Sequence, residues 1–225
     1  AAVFKEGEVI SLAQDHGEHF NSRAYDINNA GIATGHVTMA ISGKSRTKFY
    51  YIDTTNVDEM ELIIPTDFFD SSSSTARAIN ENGFIVGEGE VETHTDSTQN
   101  PRRTHAFLYD LNNDVFQDLN DLTACNSQYS IIEARDINEN NVISASAIYK
   151  VQRKDAKGEL IFDDQGEPLM VDVVRAVRLE PMEEDGQICT AEEAGKVIRQ
   201  GASFGLLSLF ALLIAGLRRR LYTAI

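Results

Sequence analysis

One block recurs three times along this chain, as Ala24-Tyr-Asp-Ile-Asn-Asn-Ala-Gly-Ile-Ala-Thr-Gly35, Ala76-Arg-Ala-Ile-Asn-Glu-Asn-Gly-Phe-Ile-Val-Gly87 and Ala134-Arg-Asp-Ile-Asn-Glu-Asn-Asn-Val-Ile-Ser-Ala145. Its asparagines Asn28, Asn80 and Asn138 are 52 and 58 residues apart. Between the blocks lies a second set of β-prone runs: Ala2-Val3-Phe4 with Val9 to Leu12, Lys48 to Ile52, His105 to Tyr109 with Val115 to Leu119, and Arg175 to Leu179. A period near fifty with several short β-prone runs per unit predicts an all-β repeat array, propeller-like, of three to four blades or a partial ring. Counting runs gives two before Ala24, four in each of two complete units and three after Ala134, the tally of a piece cut from a ring.

The block itself reads as a turn. An Asn side chain can bond the backbone two residues on, and Gly31 and Gly83 supply positive φ, with Asn141 as the tolerated substitute in the third copy. Alternating or clustered apolar residues in Ile32 to Ile41 and Phe84 to Val91 predict half-buried strands. Ile27, Ile79 and Ile137, each just before its Asn, are expected to be buried at equivalent places.

The end of the chain follows different rules. From Lys196 to Ile225 there is no Asp or Glu, although the protein as a whole carries a formal charge of −15. Gly201 to Leu217 is uncharged and mostly apolar, long enough as a helix to span about 25 Å, and Arg218, Arg219 and Arg220 follow at once. This pattern predicts a transmembrane helix over 197–220 with the Arg cluster cytoplasmic and the acidic bulk exported. Gly201 and Gly205 also fit a helix-pairing Gly-x-x-x-Gly step. The organisation expected is a β-repeat domain over 1–180, an acidic stalk over 181–196, the membrane helix over 197–220 and a short tail over 221–225. A surface so acidic repels phosphate backbones and argues against nucleic-acid binding.

Two cysteines, Cys125 and Cys189, occur on the side expected to be oxidising. An even count there points to a Cys125–Cys189 disulfide contributing about 4 kcal/mol by chain entropy, with two reduced buried thiols as the alternative.

Catalytic signatures are sparse. Asp15-His16-Gly17-Glu18-His19 groups metal-ligand types, but one short polar loop explains it equally well. Asp26 to Gly31 and Asp136 to Asn141 resemble the start of a calcium loop, yet the twelfth position holds Val37 or Ala147 instead of Glu, so turn chemistry accounts for them and structural calcium is the lesser reading. His105 lies inside an apolar run, where a structural hydrogen bond is the default role. No nucleophile elbow, phosphate loop or nucleotide fingerprint occurs. Arg153 to Asp172, rich in charge with Gly158 and Gly166, reads as a solvated hairpin insertion.

His105-Ala106-Phe107, with Ala2-Val3-Phe4 and Arg175-Ala176-Val177 as decayed copies, resembles the HAF repeat of extracellular bacterial proteins, and the Ile-Asn-x-x-Gly blocks match its partner motif. The tail is similar to the GlyGly-CTERM class of sorting signals, with Gly201-Ala202-Ser203 in place of the double glycine. These resemblances imply an exported protein in the periplasm or on the surface of a Gram-negative bacterium, belonging to an uncharacterised family. They also imply a rhomboid-type sorting protease as a partner, and they bring no catalytic activity. The expected function is a membrane-anchored or surface-sorted module that binds an extracellular ligand or builds scaffold. A propeller-type hydrolase acting on an extracellular glycan is the alternative.

Overall fold

The computed structural model describes residues 1–5, 7–12, 19–56, 58–94, 99–124 and 127–182, and these are all-β. Twelve strands form in chain order: β1 (Ala2–Lys5), β2 (Glu8–Ser11), β3 (His19–Ile27), β4 (Ile32–Ile41), β5 (Lys44–Asp53), β6 (Ser74–Ile79), β7 (Phe84–Glu90), β8 (Thr104–Asp110), β9 (Val115–Asp118), β10 (Tyr129–Ile137), β11 (Ile143–Gln152) and β12 (Met170–Leu179). They pair antiparallel and in sequence order into four separate sheets: β1-β2, β3-β4-β5, β6-β7-β8-β9 and β10-β11-β12. Among the described residues there is no helix and no closed barrel, and no helix long and apolar enough to cross a membrane. The expected helix over 197–220, with Gly201, Gly205 and Arg218 to Arg220, lies outside the described residues. So do Cys125 and Cys189, and residues 15 to 18 of the His-rich run.

Each repeat unit is one sheet, and its Ile-Asn block is the turn between first and second strands. The second and third strands then run in continuous register, for example Ala33 to Ile52 and Gly35 to Tyr50 in the second sheet, Ile85 to Tyr109 and Gly87 to Phe107 in the third, and Ile143 to Leu179 and Ala145 to Val177 in the fourth. A fourth strand, β9, is complete only in the third sheet. In the second sheet its place is taken by a single bridge, Tyr51 with Ile63, where a full strand is expected from the sequence. Pro65 follows at once and cannot donate to a ladder, which helps keep the pairing short. The insertion between β11 and β12 is a solvated excursion with two bridges, Lys154 to Leu160 and Phe162 to Pro168.

Alternating side chains give every inner sheet two apolar faces, and consecutive sheets stack through them. Leu12, Ala33, Val37, Tyr50 and Ile52 pack with Val3 between the first and second sheets. Phe49, Ala76, Ile79, Ile85, Phe107 and Tyr109 fill the next layer, where Phe49 and Phe107 rings sit 4.7 Å apart. Smaller residues, Ala78, Val86, Ala106, Ala134, Ala145 and Ala147, with Ile131, Ile137 and Ile143, build the last layer. Ile79 and Ile137 are buried there as expected, 5% and 6% exposed, but Ile27 is 55% exposed. The reason is the neighbour. Ile79 is covered by Ile32, Phe49 and Tyr51 of the preceding sheet, whereas the first sheet has two strands only and nothing over Ile27.

Candidate functional site

The three turns are near copies in three dimensions. Gly31, Gly83 and Asn141 each donate their N–H to the carbonyl of the block Asn, at 3.0, 3.2 and 2.9 Å, with φ of 82°, 81° and 59°. Only Gly, or Asn with its short polar side chain, adopts that backbone cheaply. The Asn side chain, however, reaches further than expected. Its Oδ1 accepts from the N–H four residues on, Ile32 at 3.0 Å, Phe84 at 3.0 Å and Val142 at 2.9 Å, and only Asn138 also takes the N–H two residues on. That closes the turn and leaves Nδ2 free to point along the stack. Asn28 Nδ2 donates to the Asn80 carbonyl at 3.2 Å, and Asn80 Nδ2 to the Asn138 carbonyl at 3.0 Å and to Asn141 Oδ1 at 2.8 Å. Glutamates reinforce the same step, Glu81 accepting from the Asn29 N–H and Glu139 from the Glu81 N–H. The block residues therefore act as braces between sheets, through bonds that connect residues more than fifty positions apart.

A second row, not visible in the sequence reading, runs along the first strands. In each block one residue slips out of the ladder as a β-bulge: Tyr25, Arg77 and Arg135, opposite Gly35, Gly87 and Ala145. At Gly35 the backbone crowds so closely that a Cβ would lie 1.8 Å from the Arg23 carbonyl oxygen, which explains a glycine in mid-strand. The bulges re-aim their side chains into one line across three sheets. Arg77 forks onto Glu88, with Nε 3.1 and 3.0 Å from the two carboxylate oxygens, comes within 3.7 Å of Glu133 on the next sheet and lies 5.1 Å over the Tyr25 ring. Arg135 joins Glu133 at 2.7 Å, and Tyr25 packs on His36 with ring centres 5.6 Å apart. Burial pushes the Glu88 carboxyl above its ordinary value although Arg77 opposes it. Burial, with Arg23 and Arg77 nearby, holds His36 below its ordinary value and so neutral. A half-exposed guanidinium, an aromatic ring and partly buried carboxylates in one row can bind a polar or anionic group. The only signal in the sequence was the variable residue before the Asp or Ala of each block.

His105 and Lys48 occupy the same place in their units, and each is tied to an acid from the segment that follows its strand. His105 Nδ1 is 2.5 Å from Asp118, which also accepts from Asn120, and Asn120 in turn bonds both backbone groups of Ile131 on the next sheet. Burial alone would raise the Asp118 carboxyl, but these bonds outweigh it and hold it below its ordinary value. Lys48 Nζ sits 2.8 Å from both oxygens of Asp67, a nearly fully buried pair completed by Ser74. Both are cross-links within the stack. Asp26, offered above as a calcium-loop residue, accepts from its neighbour Ile27 and from Ile79 of the next sheet, and no group of three His, Cys, Asp or Glu clusters among the described residues.

A cavity of about 520 Å³ opens beside the third and fourth sheets. Leu119, Ile143 and Leu179 line it together with Leu122 and Met182, and Arg178 and Glu180, paired at 2.7 Å, stand at the same site.

Comparison with known proteins supplies one match: the family described as Protein of unknown function (DUF3466) covers residues 3–220. The chain belongs to that family. No curated protein and no solved structure matches it. The DUF3466 match takes in the repeat blocks, the bulged row and both cysteines alike.

Proposed function

We propose that this protein is an exported, membrane-anchored or surface-sorted β-repeat module of propeller-like or HAF-repeat type that binds a ligand or builds scaffold without catalysis. The observation that carries this reading is the use of the repeated polar residues: Asn28 and Asn80 are spent on bonds between sheets, which makes a rigid array rather than a reaction centre. The array leaves two places for a ligand, the bulged row around Arg77 and the apolar cavity at Leu119 and Leu179. Export and anchoring rest on Gly201 to Leu217 and the arginines Arg218 to Arg220, with a rhomboid-type protease as the processing partner and no nucleic acid. A Cys125–Cys189 bridge belongs to the same reading.

The hydrolase alternative draws on one observation. Glu88 combines a raised carboxyl with a second carboxylate, Glu133, across Arg77, and a raised carboxyl suits a general acid. The two readings separate on glycan arrays and polysaccharide digests: retention without product supports binding, and product release lost in Glu88→Gln supports hydrolysis. For the address, the full chain expressed in a Gram-negative host is compared with a chain ending at residue 200. The full chain is expected in the membrane fraction with its β domain open to external protease, and the shortened chain in the soluble fraction. A shortened chain that stays with the membrane overturns the anchoring reading.

A further inference from the structure

The first sheet is half a repeat. β1 and β2 align with β8 and β9, the third and fourth strands of the complete sheet, and β1 pairs on one edge only. The edge of β1 that corresponds to the β7-facing edge of β8 has no strand among the described residues. Three further observations fall at the same spot. Ile27 is 55% exposed where Ile79 and Ile137, at the same motif position, are covered by the preceding sheet. The Asn28 carbonyl takes only the Gly31 N–H, while the Asn80 and Asn138 carbonyls each also accept an amide from the preceding block. In the second sheet the second strand enters the third through a turn of only two residues, Ser42-Gly43, so a strand beside β1 has a direct route into it.

We propose that this vacant inner half is the seat of a further strand pair of the same repeat type, carrying its own Ile-Asn-x-x-Gly turn and joined to β1 in the same polypeptide. The occupant continues an interface seen twice in this molecule. Its second strand adds to the free edge of β1 by backbone hydrogen bonds, its apolar residues cover Ile27, and its Asn donates to the Asn28 carbonyl. The inference rests on the stacking geometry and holds whether the array binds, scaffolds or catalyses.

The test grafts a copy of residues 74–90, followed by Ser-Gly, ahead of Ala1 of the full chain, and follows thiol labelling of Ile27→Cys by peptide mass mapping. Position 27 labels readily in the parent and is expected to slow by roughly tenfold or more in the graft, as a site opened only by local unfolding does. A graft of the same composition in scrambled order is expected to leave the rate unchanged. Equal labelling in parent and graft, or equal protection by the scrambled pair, overturns the proposal. A second graft, copying residues 22–41, guards against misfolding of the first. If neither graft yields a folded chain with protected β7 and β8 amides, the proposal also falls.

Discussion

The third and fourth sheets fold the same strand-turn-strand unit, yet the third is buried on both faces and the fourth on one. Val86 and Ala106 of the third sheet are fully buried and Leu108 packs with them, all facing the fourth sheet. The matching positions of the fourth sheet are Ser144, Ala176 and Arg178, and these are exposed. The local fold is therefore set by the turn and the register, while the side chains between them record whether another sheet lies alongside. Repeat arrays end on such polar faces because an uncovered apolar one invites association. The first sheet shows the opposite condition, with Phe4, Val9 and Ile27 exposed.

The largest contrast expected is electrostatic. Removing Asp67 strands the buried Lys48 ammonium, so Asp67→Ala is expected to cost about 3–5 kcal/mol in denaturant unfolding. Arg175, at the equivalent place in the exposed fourth sheet, is expected to change stability by less than about 0.5 kcal/mol when replaced by Ala. Similar costs at the two positions would break the comparison.

Next comes packing. Ile79→Ala is expected to cost about 2–5 kcal/mol and Ile27→Ala about 0.5 kcal/mol or less, although the two share a motif position. Exchanging the sheet faces sharpens the point. Val86→Ser is expected to lose roughly 1.5–3 kcal/mol of buried side chain. Ser144→Val is expected to leave the unfolding midpoint nearly unchanged and to raise concentration-dependent association in sedimentation.

These contrasts also mark what could be read in advance. Turns at Gly31, Gly83 and Asn141 were legible because a positive φ and an Asn cap are local chemistry. The strand periodicity was legible for the same reason. Exposure of Ile27 was not, since it depends on what lies opposite, and the motif is the same in all three copies. Neither was the row of Tyr25, Arg77 and Arg135, whose meaning comes from bulges that only the paired backbone reveals. Lys48 with Asp67 and His105 with Asp118 are joined across 19 and 13 residues, with no fixed spacing to betray them.

The smallest effect expected is titration. His36 is held below its ordinary value of 6.5, so the unfolded chain binds the proton more readily. Its contribution to stability is therefore complete above about pH 6.5 and declines as pH falls through the folded value. His36→Gln is expected to flatten that part of the stability profile. Glu88 has the opposite sign: its raised carboxyl favours the fold at low pH, and that contribution is lost as pH rises through the folded value. Ser146, the counterpart in the fourth sheet, does not titrate, and Ser146→Ala is expected to leave the profile unchanged.

The central claim, that stacking rather than the turn decides the stability of each unit, is tested most directly by hydrogen exchange at three amides. Ile32, Phe84 and Val142 donate to their own block Asn at 3.0, 3.0 and 2.9 Å, so the local bond is the same in each. Phe84, with a sheet on both sides, is expected to exchange roughly tenfold or more slowly than Ile32 and Val142. Equal rates at the three amides would contradict the account, because the turn alone would then set their protection.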